Sequence, residues 1–531
     1  MAKGDPRAGA NRPGVELPAV SQGRRQLDDD IKTEQARRGL SSAINNPRLM
    51  VSIMFVCMWL VGTLAVQRTY GLGVSAPNSR LLTLGGFLTG SAHVLRISRL
   101  SPTGMGVLYA ILLAVLFLSY TWALILVARG RATLSRTYII VASVALCLWV
   151  LFLTPLYAKD LFNYASYGKM LTFHGASPYL HVPADFPRDP VLGYISWKGA
   201  ISVYGPLFTY LSSLATLIAR QGAIANIFAF KMLAFGFFLG SLFVVDSLAR
   251  RVHPEKRAFI LAAVAWNPLV IIHLVGGGHN DTIMLFFVLL ALLLYRQEKP
   301  VWALFSCTLA VMIKTTAVFA LVPMLVLFAR QNSRWTLRKY GEALAVLVAT
   351  PLAFYLPIWP GLGVFKKIVS VGTDFNAAGV PRLFRDGLAT VLRDLGMRAS
   401  PAASLAAGVA HAVFIALFLV LLVYFCYKVR DMRSLLLYTG AIMFAFALCT
   451  TWLMPWYAGF VAAMMFVSGS YLLAAGGIGL TLVMSLYGPR IQAVPFRLFP
   501  AAIIVLALGL LAVAFGNRLP VPRLAAAESQ P

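Results

Sequence analysis

Residues 104–128 read GMGVLYAILLAVLFLSYTWALILVA, 25 positions without a charge, closed by a basic stretch that begins at Arg129. A helical run of about 20 apolar residues is what the hydrocarbon core of a bilayer requires. A strand of a membrane barrel would alternate polar and apolar side chains over about 10 residues, and this stretch does not alternate. Comparable runs recur on both sides, at roughly 49–67, 138–156, 204–219, 226–249, 258–275, 281–295, 301–313, 315–329, 341–357, 405–427, 434–451, 455–487 and 499–515. The chain therefore reads as an all-α polytopic membrane protein of about 13 transmembrane helices, with short helices in its outer loops.

The composition agrees with that reading. Of 531 residues, 59% are hydrophobic and 12% are charged, against about 25% charged in soluble globular domains. A water-soluble enzyme is thereby excluded. The formal net charge of +27 would suggest nucleic acid in a soluble chain, but most of the excess falls in short loops and tails, where it sets orientation. Membrane lipids, and no nucleic acid, are the expected surroundings. Cys57, Cys147, Cys307, Cys426 and Cys449 lie within or at the ends of apolar runs without paired spacing, which marks them as packing residues. Residues 1–48 are polar, lack an apolar leader core and read as a disordered cytoplasmic tail; residues 516–531 read as a polar C-terminal tail.

Basic loops orient the segment between, 49–515. The stretches at 129–136, 250–257, 296–299, 330–339 and 428–433 all favour the cytoplasm together with the N-terminal tail. The loops at 157–203 and 358–404, the turn at 276–281, the break at Lys314 and the segment 450–457 then share the outer face. Two full crossings between 204 and 249 would spoil that parity, so Tyr204–Ala219 is expected to be a partial or re-entrant helix. Leu81–Leu95 is expected at the interface, and 455–487 is either one long helix or two short ones.

Acidic residues number only 19, six of them in the first 34 positions, so those near the outer face can be weighed singly. Asp160 follows the third run within a few residues, where a carboxylate at the lipid–water boundary could take a proton from an attacking hydroxyl. Pairing with Lys159 or capping the next helix is the plainer alternative. The loop after it carries Tyr164, Tyr167, His174, Tyr179 and Tyr204, aromatic and polar groups suited to hold a sugar. Gly276-Gly277-Gly278-His279-Asn280-Asp281 allows close approach to a ligand, or simply makes a capped helical turn. Lys314 interrupts an apolar run and calls for an anion or a route to water; a lipid phosphate would serve. Arg382 and Arg385 are further phosphate candidates, or belong to an amphipathic surface helix. Trp452, Pro455, Trp456 and Tyr457 could stack on a sugar or sit in an interfacial aromatic belt. Nucleotide-binding and soluble-hydrolase motifs are missing, which disfavours ATP-driven transport.

Taken in order, Lys159-Asp160-Leu-Phe-Asn-Tyr-Ala-Ser-Tyr-Gly168, Ser177-Pro-Tyr179, Tyr204-Gly-Pro-Leu207, Trp266-Asn-Pro268, Gly277-Gly-His-Asn-Asp281 and Lys314 resemble the polyprenol-phosphate-mannose-dependent α-1,6-mannosyltransferases of actinobacteria, over about residues 140–460. The resemblance implies a GT-C glycosyltransferase fold in the plasma membrane, with its active site on the extracytoplasmic face. It implies a polyprenyl-phosphate-mannose donor, a mannan or lipomannan acceptor, and inversion at the anomeric carbon. Asp160 takes the place of the family's acidic base. The residue two beyond it, where the family usually writes Tyr, is Phe162, so an aromatic is kept without its hydroxyl. No metal and no cofactor are expected, since the donor carries its own leaving group. A transporter or flippase of a lipid-linked saccharide is the competing reading, although no internal repeat supports it.

Overall fold

The computed structural model describes residues 45–66, 86–130, 134–153, 155, 158–331, 336–359, 361 and 379–486. The tail up to residue 44, the expected span 499–515, the C-terminal tail 516–531 and residues 362–378 of the second outer loop lie outside the described residues. In chain order the helices are α1 (Pro47–Ala65), α2 (Phe87–Val94), α3 (Pro102–Ala128), α4 (Arg136–Leu151), α5 (Asp160–His174), α6 (Pro206–Ala219), α7 (Ala223–Val252), α8 (Arg257–Ala265), α9 (Asp281–Arg296), α10 (Pro300–Val311), α11 (Val318–Arg330), α12 (Leu337–Tyr355), α13 (Val380–Asp394), α14 (Ala399–Lys428), α15 (Met432–Cys449), α16 (Pro455–Val467) and α17 (Tyr471–Ser485). The described residues contain no strand.

Six of these helices, α1, α3, α7, α12, α14 and α15, are long and apolar enough to cross a membrane unaided. Other expected spans are broken. The run 258–275 stops at Ala265 because Pro268 has no N–H to donate and Asn267 Oδ1 accepts the backbone N–H groups of Leu269 and Val270, both at 3.1 Å. The chain resumes as a π turn over Val270–Val275. Such a break frees carbonyls that lipid cannot satisfy, and neighbouring helices supply the donors: Tyr120 Oη reaches Ala263 O at 2.6 Å and Ser143 Oγ reaches Ala265 O at 2.7 Å. The run 455–487 is two helices, α16 and α17, separated by a turn at Gly469. Within 81–95 the described part forms the eight-residue α2.

Contacts between distant loops gather the basic segments at one end of the bundle. Arg48 lies over the Tyr138 ring, and Asp246 receives both Arg136 and Arg257. Lys256 donates to Gly469 O, Tyr295 Oη to Gln331, and Arg330 to the carbonyls of Tyr427 and Val429. From that end α9 runs its 16 residues, about 24 Å, to Asp281 at the other. The tertiary structure thus groups the loops that hydropathy and charge had assigned to one side.

α6 does not return to the basic end. α5 and α6 leave the site side by side, with Thr172 on Ser213 and Thr216, and the chain turns back through Arg220–Gly222 into α7. By Phe230, α7 is again beside Tyr164. Lys231, fully buried in α7, donates its ammonium to the carbonyls of Val150 and Leu153 at the end of α4. A cation at that helix end answers otherwise unpaired carbonyls and holds the start of the segment that leads to Asp160.

Candidate active site

Three chain breaks bring the rare charged groups together. Asp160 is the first residue of α5, Asp281 the first of α9, and Lys314 is an extended residue between the end of α10 and the 3₁₀ turn Thr315–Ala317. Gly205 makes this convergence possible. Its N–H donates to Ile313 O at 3.0 Å, and a Cβ at this position would run into the carbonyl of Met312, so only glycine lets the start of α6 lie against the chain just before Lys314. Gly278, at φ 64°, lets the turn after the π segment tuck behind Leu161 and deliver His279.

These elements enclose a cavity of about 260 Å³ lined by Asp160, Tyr164, Tyr167, Tyr204, Lys314 and Trp456, with Asn163, Trp197, Thr315, Thr316, Trp452 and Tyr457 also in the wall. That volume suits a single sugar ring rather than an oligosaccharide, being just below the ~300 Å³ at which small-molecule pockets begin. The Asp160 side chain is 17% exposed, and its Oδ2 stands 3.9 Å from His279 Nδ1, beyond hydrogen-bond range. The His279 ring is fully buried and stacks on Trp456 with centroids 4.2 Å apart at 15°, which leaves the other face of the indole for the cavity. Tyr164 Oη lies 3.4 Å from His279 Nδ1 and 3.5 Å from Asn280 Oδ1.

Lys314 Nζ donates to both oxygens of Asp281 at 2.9 Å and lies 3.9 Å from the centre of the Tyr457 ring. The pair neutralises its own charges, and the ammonium is also hydrogen-bonded to Tyr457. Burial pushes the Asp160 carboxyl up to about 6; Lys314 opposes that rise and Asp281 adds to it. At neutral pH Asp160 is therefore largely ionised yet more basic than an ordinary carboxylate, a property of a proton acceptor. Among the described residues no group of three His, Cys, Asp or Glu side chains is placed to hold a metal ion.

Other candidates lie elsewhere. His174 ends α5, 14 residues or about 21 Å along the helix from Asp160, and is exposed against Phe186. Tyr179 is buried behind the cavity, where its hydroxyl donates to Tyr204 O at 2.8 Å and so supports the wall without lining it. Arg382 and Arg385 pair with Asp386 on the exposed face of α13, outside the cavity. A strongly amphipathic helix accounts for them as surface arginines. Trp452 and Tyr457, candidates for sugar stacking together with Trp456, belong to the wall, as does Trp197 of the first outer loop. The signal available was their place beside the outer-face breaks, which does not distinguish a wall from an interfacial belt.

The chain is 26% identical over 226 residues to alpha-(1->6)-mannopyranosyltransferase A of Corynebacterium glutamicum, covering 42% of this chain and 46% of that protein. Against the protein of the same name from Mycobacterium tuberculosis the identity is 26% over 226 residues, 42% of this chain and 43% of the relative. Alpha-(1->6)-mannopyranosyltransferase B of Corynebacterium glutamicum is 26% identical over 147 residues, 27% of this chain and 24% of that protein. The chain thus spans less than half the length of these curated relatives. The family model described as alpha-(1->6)-mannopyranosyltransferase, N-terminal domain, matches residues 56–330, a segment that holds Asp160, His279, Asp281 and Lys314 and makes up more than half of the chain. The chain belongs to the alpha-(1->6)-mannopyranosyltransferase family.

Proposed function

We propose that the protein transfers mannose from a polyprenyl-phosphate-mannose donor to a mannan or lipomannan acceptor, on the outer face of the plasma membrane and with inversion at the anomeric carbon. The observation that carries the reading is the position of Asp160, an elevated carboxyl in a one-sugar cavity beside the Lys314–Asp281 pair. In the reaction the acceptor hydroxyl attacks the anomeric carbon as its proton passes to Asp160. The bond from that carbon to the phosphate oxygen breaks, and polyprenyl phosphate leaves with the electron pair. The Lys314 ammonium supplies positive charge beside the departing phosphate, while Asp281 keeps it charged and aimed. Trp456, braced from behind by His279, offers its free face to the sugar.

The grouping of basic loops at the opposite end of the bundle supports the outer-face assignment. Because the donor's phosphate is the leaving group, the reaction as proposed calls for no metal or cofactor. A transporter would place its polar groups near the bilayer midplane, whereas these gather at one end. Asp160→Asn removes the base with little change in shape. Transfer from polyprenyl-phosphate-mannose by the purified variant should fall at least about 100-fold while the protein remains folded, and full turnover would remove Asp160 from the mechanism.

A further inference from the structure

The ammonium of Lys314 is charged but has its protons engaged. It donates to the two oxygens of Asp281, both at 2.9 Å, and is hydrogen-bonded to Tyr457, whose ring centre lies 3.9 Å away. An ammonium has three donors and no acceptor, so this set is complete. Lys314 therefore brings charge to the cavity without a free donor for a ligand. Tyr457 is placed to supply one. It stands in the first turn of α16, whose start Pro455 fixes, and its half-buried side chain is part of the cavity wall. Its oxygen accepts from Lys314, and the ammonium cannot accept in return, so the phenolic hydrogen must turn to another acceptor. Tyr164 Oη and Tyr167 Oη, in the same wall, are held by His279, Asn280 and Ala200. The wall also carries Thr315 and Thr316, where the chain after Lys314 enters the 3₁₀ turn that leads into α11, so the positive end of a helix faces the same cavity.

Resting on the transferase reading above, we propose that Tyr457 is a catalytic residue whose hydroxyl donates a hydrogen bond to the phosphate of the lipid-linked donor. As the bond from the anomeric carbon to the phosphate oxygen breaks, its electron pair stays on that oxygen and negative charge grows on the phosphate. Tyr457 keeps its proton throughout; the bond it donates strengthens with that charge, which lowers the transition state more than the ground state. Lys314, donating to the phenolic oxygen, polarises the hydroxyl and makes it the better donor.

Tyr457→Phe keeps the ring beside Lys314 and removes the hydroxyl alone. With the purified full chain and polyprenyl-phosphate-mannose, kcat should fall roughly 100-fold. The inhibition constant of farnesyl phosphate, which does not depend on the fraction of folded enzyme, should rise about tenfold, whereas farnesol, lacking the phosphate, should act alike on both proteins. Inhibition of the two proteins alike by farnesyl phosphate, or of neither, overturns the proposal, as does an equal change with farnesol. The acid limb of the pH–rate profile reports whether Lys314 has moved, since that ammonium acts on Asp160. It should stay in place; a limb shifted to higher pH would mean that the hydroxyl only holds Lys314, and would also overturn the proposal. Each of these results leaves the transferase reading standing. Absence of mannosyl transfer by the unmodified protein overturns both.

Discussion

Asp160 and Lys314 are coupled through space, and their coupling has a direction that can be measured. Below about pH 6 Asp160 is protonated and cannot accept the hydroxyl proton, so kcat/KM should decline on the acid side with a midpoint near that value. Lys314 holds the carboxyl lower than burial alone would. Lys314→Met should therefore move the acid limb to higher pH, whatever it does to the maximum rate. A limb that stays in place, or moves down, would show that the ammonium does not act on Asp160. The same substitution leaves Asp281 buried without its partner, so the variant should also unfold more readily, at a cost of about 3–5 kcal/mol.

At the scale of elements, the outer layer of α5, α6 and the 183–203 segment is organised by one buried ion pair, Lys169 with Asp189 at 2.8 Å. Lys169→Met strands the Asp189 carboxylate and should destabilise this layer by about 3–5 kcal/mol, read as a lower thermal midpoint in detergent and faster proteolysis after residue 183. Lys169→Met combined with Asp189→Leu removes both charges and should recover much of the loss, less the hydrogen bond that Asp189 accepts from Val191. A double variant no better than the single one would mean that packing, not charge, holds the layer. The broken run at 258–275 follows the same economy: Asn267, Tyr120 and Ser143 satisfy what Pro268 leaves open.

For the whole molecule the central statement is that the charged loops and the cavity occupy opposite ends. Ser196 and Glu255 are exposed at the two ends, and the five native cysteines are buried, so single cysteines introduced there report cleanly. In intact cells an impermeant thiol reagent should label Ser196→Cys, whereas Glu255→Cys should react only after permeabilisation. The reverse pattern would turn the protein over in the membrane and place the cavity toward the cytosol.

Hydropathy and charge act along the chain, and what they govern was legible in the order of residues. Apolar runs mark the helices, basic loops mark one side, the scarcity of acids on the other picks out Asp160 and Asp281, and Lys314 stands out as a cation interrupting an apolar run. The parity of the basic loops also identified α6 as a helix that turns back, because a crossing there would have carried arginines through the bilayer. Pairing is a different matter, because it depends on which faces meet after packing. That Asp281 answers Lys314 across 33 positions, that His279 backs Trp456, and that His174, Arg382 and Arg385 lie away from the cavity were decided by helix ends and close backbone approaches such as Gly205 on Met312. Local sequence carries the tendency of each segment to enter the membrane; only the folded bundle sets the distances on which proton transfer and charge pairing depend.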